Sequence, residues 1–156
     1  MKDKVTFLTD AKFDTNQLIL KIKDSSENLN REEKNTLNKI ISDFENNDFS
    51  LLTPQEINWM KKNDSILWPE YLVFRYNFKN LPKKMELLNV PIHLLIEPVS
   101  ACNLRCIMCF QIDKTFSNNS NFMGMMKLDL FKKIIDDAVS CNIRELTMAS
   151  RGEPTL

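Results

Sequence analysis

The pattern of apolar and polar positions in the second half of the chain changes from strand-like to helix-like and back. Residues 91–98 form a short, nearly continuous apolar run between two prolines, which is typical of a strand buried on both faces of a parallel sheet. Apolar residues then recur at helical spacing through residues 128–143, and residues 144–150 form a second strand-like run. The order of strand, loop, helix and strand predicts one βαβ unit.

The first part of the chain carries helical patterns instead. Residues 30–33 and 53–56 each have the spacing of a capping box, and apolar residues follow both at helical spacing. The aromatic-rich segment 68–78 fits either a helix or a strand. We therefore predict a mainly helical N-terminal extension at residues 1–85 and an incomplete catalytic unit at residues 86–156.

Three cysteines lie within eight residues of the chain, directly after the first predicted strand. They are Cys102, Cys106 and Cys109, in the spacing C-x-x-x-C-x-x-C. Iron-sulfur clusters held for electron transfer usually take four protein thiolates, so three would leave one iron without a protein ligand. An open position on a metal site is what chemistry on a bound substrate requires. The spacing therefore predicts an iron-sulfur cluster loop.

Two other interpretations of the cysteines stay open at this point. A structural zinc site normally needs four protein ligands, and the remaining candidates, Cys141 and His93, do not lie at zinc-knuckle spacing. Three unreactive buried thiols are the other interpretation. Disulfides fit poorly because residues 1–4 lead into no signal-peptide core and cytosolic thiols stay reduced. We expect Cys141 and His93 to have structural roles.

Two segments of the chain resemble one enzyme family. The run 101–110 is similar to the cysteine signature of the radical S-adenosylmethionine (radical SAM) enzymes. The segment 152–154 resembles the glycine-glutamate-proline element that this family carries at the end of its second strand. Arg151 stands where the family more commonly has a first glycine. Both segments follow predicted parallel strands, whose carboxyl ends are where such folds bind ligands.

The resemblance implies a cofactor set and residues to hold it. The metal ligands of a [4Fe-4S] cluster would be Cys102, Cys106 and Cys109, and SAM would bind the open iron. The residues that contact SAM would be Gly152, Glu153, Pro154 and Met108. Met108 would either face the adenine or pack against the cluster. No residue is assigned a catalytic role beyond cofactor binding.

The same resemblance implies a reaction and partners. The reduced cluster would cleave SAM to methionine and a 5′-deoxyadenosyl radical, which abstracts hydrogen from an unidentified substrate. A reductant protein such as a flavodoxin or ferredoxin would supply the electron. The motifs look most like the subgroup with a C-terminal auxiliary iron-sulfur (SPASM-type) domain. A non-catalytic iron-sulfur or zinc-binding fragment is the alternative function.

The length of the chain limits the expected fold. The resemblance implies an α/β fold that starts a partial TIM-type radical SAM barrel. A full barrel takes about 250 residues, whereas this chain has 156 and stops just after its second predicted strand. We expect an incomplete barrel with an open apolar sheet edge, from a truncated gene, an incomplete reading frame or a remnant.

Composition excludes several other function classes. The 21 Lys and Arg residues balance the 21 Asp and Glu residues, so no nucleic-acid partner is indicated. The two glycines, Gly124 and Gly152, are too few for a phosphate-binding loop or a dinucleotide fingerprint. No apolar run approaches the roughly twenty residues of a membrane helix. We expect a cytoplasmic protein in which the loop 110–126 covers the cluster.

Overall fold

A computed structural model describes residues 14–156 of the chain. The first 13 residues, which belong to the predicted N-terminal extension, lie outside the described residues. The chain divides into an N-terminal unit that ends at Leu87 and a C-terminal unit that runs from Leu88 to Leu156. The described residues contain both helices and strands and are mostly helical.

The N-terminal unit is helical over its described residues. Its helices are α1 (Thr15–Asp24), α2 (Arg31–Glu45), α3 (Pro54–Lys62), a 3-10 turn (Ser65–Leu67) and α4 (Trp68–Lys84). Both predicted capping boxes form, at the starts of α2 and α3, which fixes where these helices begin. The segment that fitted either a helix or a strand lies in α4.

The described part of the N-terminal unit contains a buried carboxylate. Glu56 is completely buried, and its carboxylate lies 2.7 Å from Arg75 Nη2 and 3.3 Å from Lys79 Nζ. Burial alone would raise the pKa of Glu56. Hydrogen bonds from Thr53 and Arg75 and the charge of Lys79 outweigh it and lower this pKa to about 2. Glu56 therefore remains ionised inside the helical unit.

The C-terminal unit contains the predicted βαβ arrangement. Its elements are β1 (His93–Ile96), a 3-10 turn (Phe110–Ile112), α5 (Lys114–Ser117), a 3-10 turn (Ser120–Phe122), α6 (Leu128–Ser140) and β2 (Glu145–Met148). The two strands pair in parallel, with His93 opposite Glu145 and Ile96 opposite Met148. The described residues form an open two-stranded sheet and no barrel.

The prediction that the first strand is buried on both faces is wrong for this chain. Only Ile96 of β1 is buried, and Leu95 is 58% exposed. A parallel sheet is buried on both faces only when helices cover both of them, and this unit has one long helix. Apolar side chains at the sheet therefore remain accessible, as the expected open edge implied.

No helix within residues 14–156 combines the length and the apolar character that crossing a membrane requires.

Candidate functional site

Both candidate loops lie at the same edge of the sheet. The cysteine loop (residues 102–109) follows β1, and the Gly-Glu-Pro loop (residues 152–154) follows β2. Because β1 and β2 are parallel, their carboxyl ends meet at one edge, where open parallel sheets bind ligands.

One cavity in the C-terminal unit brings the three cysteines together. It has a volume of about 320 Å³, and all three thiol-bearing residues line it. Cys102 and Cys109 are half-buried, whereas Cys106 is exposed. Arg105 and Lys114 add positive charge to the lining. The site therefore combines reduced thiols with basic side chains in one concave surface.

The three cysteines line the cavity without gathering around a single point. Within residues 14–156, no three His, Cys, Asp or Glu side chains gather as a metal-ion site requires. A zinc ion needs thiolate ligands about 2.3 Å from one centre. In an iron-sulfur cluster each thiolate binds its own iron, so thiols distributed around a cavity fit the group.

Short-range hydrogen bonds shape the cysteine loop itself. The Cys109 backbone N–H donates to the carbonyl oxygen of Cys106 at 2.9 Å. The Arg105 guanidinium donates to the carbonyl oxygens of Cys102, at 2.9 Å, and Leu104, at 2.7 Å. Arg105 therefore donates hydrogen bonds to loop carbonyls that lie outside any helix or strand.

Hydrogen bonds between the buried Ser100 and Gly124 join the two ends of the long segment that contains the cysteines. Ser100 is only 3% exposed, and its backbone N–H donates to the Gly124 carbonyl at 2.9 Å. The Gly124 N–H donates back to Ser100 Oγ at 2.6 Å. The segment expected to cover the cluster is thereby anchored beside β1. It contributes six residues to the cavity lining: Gln111, Ile112, Lys114, Ser117, Asn118 and Met123.

The Gly-Glu-Pro loop is held against the chain that enters the cysteine loop. Gly152 has a left-handed backbone, with φ of 79°, and the Glu153 N–H donates to the Ala101 carbonyl at 2.8 Å. Thr155 donates twice to the Glu153 carboxylate, through its hydroxyl at 2.6 Å and its N–H at 3.1 Å. These bonds lower the pKa of Glu153, so this carboxylate is ionised at neutral pH.

Arg151, the departure from the family pattern, joins three segments of the unit. Its Nε lies 3.5 Å from Glu97 Oε2 at the end of β1. Its guanidinium also lies over the Phe116 ring of α5, 5.6 Å from the ring centroid. The larger side chain therefore occupies space beside the Gly-Glu-Pro loop and pairs with the strand end.

Six residues considered in the sequence do not line the cavity: Gly152, Glu153 and Pro154 of the Gly-Glu-Pro loop, and Met108, Cys141 and His93. Met108 is 86% exposed and does not line the cavity. Cys141 is exposed at the end of α6. His93 Nε2 lies 2.8 Å from Thr147 Oγ1 on the neighbouring strand, which gives it a position in the sheet.

Sequence reasoning missed two residues that organise the site. Ser100 and Gln111 carry no motif, and each is a single polar residue beside apolar neighbours. Gln111 donates through Nε2 to the Ser100 carbonyl at 2.6 Å, and its Oε1 accepts from the Gly152 N–H at 2.8 Å. Its position two residues after Cys109 is the one feature of the sequence that connects Gln111 with the site.

Fold and site together define a βαβ unit with a cysteine-lined cavity at its strand ends. Among curated proteins, the cysteine-type anaerobic sulfatase-maturating enzyme of Clostridium novyi (strain NT) is 42% identical to this chain over 65 residues. The match covers 40% of this chain and only 17% of the length of that relative. The chain is thus similar, over part of its length, to an enzyme of the radical SAM class. No family model and no solved structure matches the chain.

Proposed function

We propose that this chain is the cofactor-binding N-terminal part of a radical SAM enzyme. The observation that carries the proposal is the shared cavity of Cys102, Cys106 and Cys109 at the carboxyl ends of two parallel strands. Three thiolates from one loop would hold a [4Fe-4S] cluster and leave one iron for SAM. When bound, such a cluster supplies the electron for reductive cleavage of SAM.

The chain's own residues would bind and orient these groups. Glu153 is an ionised acceptor, so it suits the positively charged amino group of SAM. The backbones of Gly152 and Glu153 lie next to the entrance of the cysteine loop. Arg105 and Lys114 place positive charge in the cavity, which offsets the negative charge of three thiolates.

The partial similarity to a sulfatase-maturating enzyme supports the proposal. Enzymes of that class carry [4Fe-4S] clusters and use SAM. By the same relationship, the cluster would be reduced by a flavodoxin or ferredoxin, and the whole enzyme would carry a C-terminal auxiliary-cluster (SPASM-type) domain. The hydrogen donor is left as an unidentified substrate, because substrate recognition belongs to site residues beyond the shared motifs.

Anaerobic reconstitution of the full chain with iron and sulfide tests the proposal. We expect about four irons and four sulfides per chain, as the [4Fe-4S] composition requires. Cys106→Ser should lose most of this iron, whereas Cys141→Ser, the matched control outside the cavity, should keep it. SAM added to the reduced wild-type cluster should change its electron paramagnetic resonance (EPR) spectrum and yield 5′-deoxyadenosine.

Other outcomes would contradict the proposal in distinct ways. Bound zinc without labile sulfide would identify a metal-binding fragment. A cluster that neither binds nor cleaves SAM would leave a non-catalytic iron-sulfur protein. Equal iron loss in Cys106→Ser and Cys141→Ser would show that the cavity cysteines are not the specific ligands.

A further inference from the structure

We propose that Gln111 is a positioning residue that links the cysteine loop to the Gly-Glu-Pro loop, so that the two loops are ordered together. The ordering of the two loops is a property of the chain alone. Its consequence for cofactor binding deepens the proposed function and rests on it.

The first hydrogen bond of Gln111 links the two ends of the cysteine loop. Gln111 lies two residues after Cys109, and Ser100 lies two residues before Cys102. The 2.6 Å hydrogen bond from Gln111 Nε2 to the Ser100 carbonyl joins the two ends. All three cysteines therefore lie inside a ring that one side chain closes. Such closure removes conformational freedom that the thiols would otherwise lose on binding a cluster.

The second hydrogen bond of Gln111 reaches the Gly-Glu-Pro loop, which follows the neighbouring strand. Gln111 Oε1 accepts from the Gly152 N–H at 2.8 Å. The Glu153 N–H next to it donates to the Ala101 carbonyl at 2.8 Å. Gly152 and Glu153 are thus held by two consecutive bonds to the chain on either side of the cysteines. Movement of either loop would break contacts of the other.

The chemistry of the side chain makes this role specific. The link uses the amide as a donor at one end and as an acceptor at the other. Glutamate has the same length but only accepts when ionised, and methionine has a similar shape but lacks a strong donor or acceptor. Gln111→Glu therefore removes only the hydrogen bond to Ser100, whereas Gln111→Met removes both hydrogen bonds. Exposed Gln17 in α1 of the other unit provides a matched control.

Glycine amide exchange in the cofactor-free full chain tests the ordering directly. The chain has two glycines, so selective ¹⁵N-glycine labelling gives one amide signal for Gly152 and one for Gly124. Gln111→Met should speed exchange at Gly152 about tenfold, the value expected for one lost hydrogen bond. Gly124, which donates to Ser100 Oγ, should change much less, and Gln17→Met should change neither.

Two further measurements distinguish a local effect of the Gln111 substitutions from a general loss of folding. Gln111→Glu should retain protection at Gly152 while exchange rises in the cysteine loop, because only the donor to Ser100 is lost. Faster exchange throughout α6 in the Gln111 variants would show general destabilisation and would overturn a local positioning role. Unchanged exchange at Gly152 in Gln111→Met would also overturn the proposal.

Cofactor binding then tests the consequence of the link. At equal cluster content, Gln111→Met should bind SAM about tenfold more weakly than wild type, measured by the EPR change of the reduced cluster on titration with SAM. Equal SAM affinity would overturn the consequence for cofactor binding. If the wild type takes up no cluster at all, the proposed function fails, and the glycine exchange result still decides whether the link exists.

Discussion

The backbone of Gly152 lies so close to Val99 that a Cβ added to Gly152 would come within 1.8 Å of the Val99 carbonyl oxygen. Gly152 also has a left-handed φ of 79°, which costs other residues roughly 1–2 kcal/mol. Steric room and backbone conformation therefore both require glycine here. This contact sets how closely the segment that enters the cysteine loop approaches the Gly-Glu-Pro loop.

Replacing this glycine is the sharpest structural test of the site. Gly152→Ala should destabilise the C-terminal unit by more than about 2 kcal/mol, because backbone conformation and close contact both oppose a Cβ. Hydrogen exchange over β1 and β2 measures the effect. Gly124→Ala is the control, since a Cβ there meets nothing within 4 Å. Equal effects of the two changes would contradict the packing described for Gly152.

The Arg151–Glu97 pair should contribute modestly to stability. Its atoms lie 3.5 Å apart on side chains that are 30% and 37% exposed, so solvent screens the attraction. We expect Arg151→Leu and Glu97→Gln each to destabilise the unit, with a coupling of about 0.5 kcal/mol in a double-mutant cycle. The same cycle on Lys133 and Asp137, an exposed i,i+4 pair in α6, is the comparison. A coupling near zero would show that Arg151 acts through Phe116 alone.

Much of the architecture could be predicted because it depends on local signals. The capping boxes at residues 30–33 and 53–56 and the helical period of α6 act within a few residues, and all three formed as predicted. The parallel pairing of β1 and β2 also followed, since a strand, helix and strand in sequence make a βαβ unit.

The rest depends on contacts between residues distant in sequence. Nothing near Gln111 indicates that its amide reaches Ser100 on one side and Gly152 on the other. Burial of β1 was predicted from its apolar run alone, but burial depends on what covers the sheet. The radical SAM barrel and the residues that would contact SAM came from family resemblance, so they stay predictions.

Glu56 should be a sensitive position of the N-terminal unit. Removing its charge by Glu56→Gln leaves Arg75 and Lys79 without their buried partner, and we expect a loss of about 3 kcal/mol at neutral pH. Both tryptophans, Trp59 and Trp68, lie in this unit, so urea unfolding followed by tryptophan fluorescence reports on it. Glu27→Gln, at an exposed position between α1 and α2, should change stability by less than about 0.5 kcal/mol.

The stabilisation by Glu56 should disappear in acid. Its folded-state pKa of about 2 lies below the ordinary value of 4.5, so the unfolded chain binds more protons between these values. Stability from this group is therefore complete above about pH 4.5 and is lost as pH falls toward about pH 2. The difference in unfolding free energy between wild type and Glu56→Gln should shrink from about 3 kcal/mol toward zero over that range. A difference that stays constant from neutral to acid pH would mean that packing around Glu56, and not its charge, stabilises the unit.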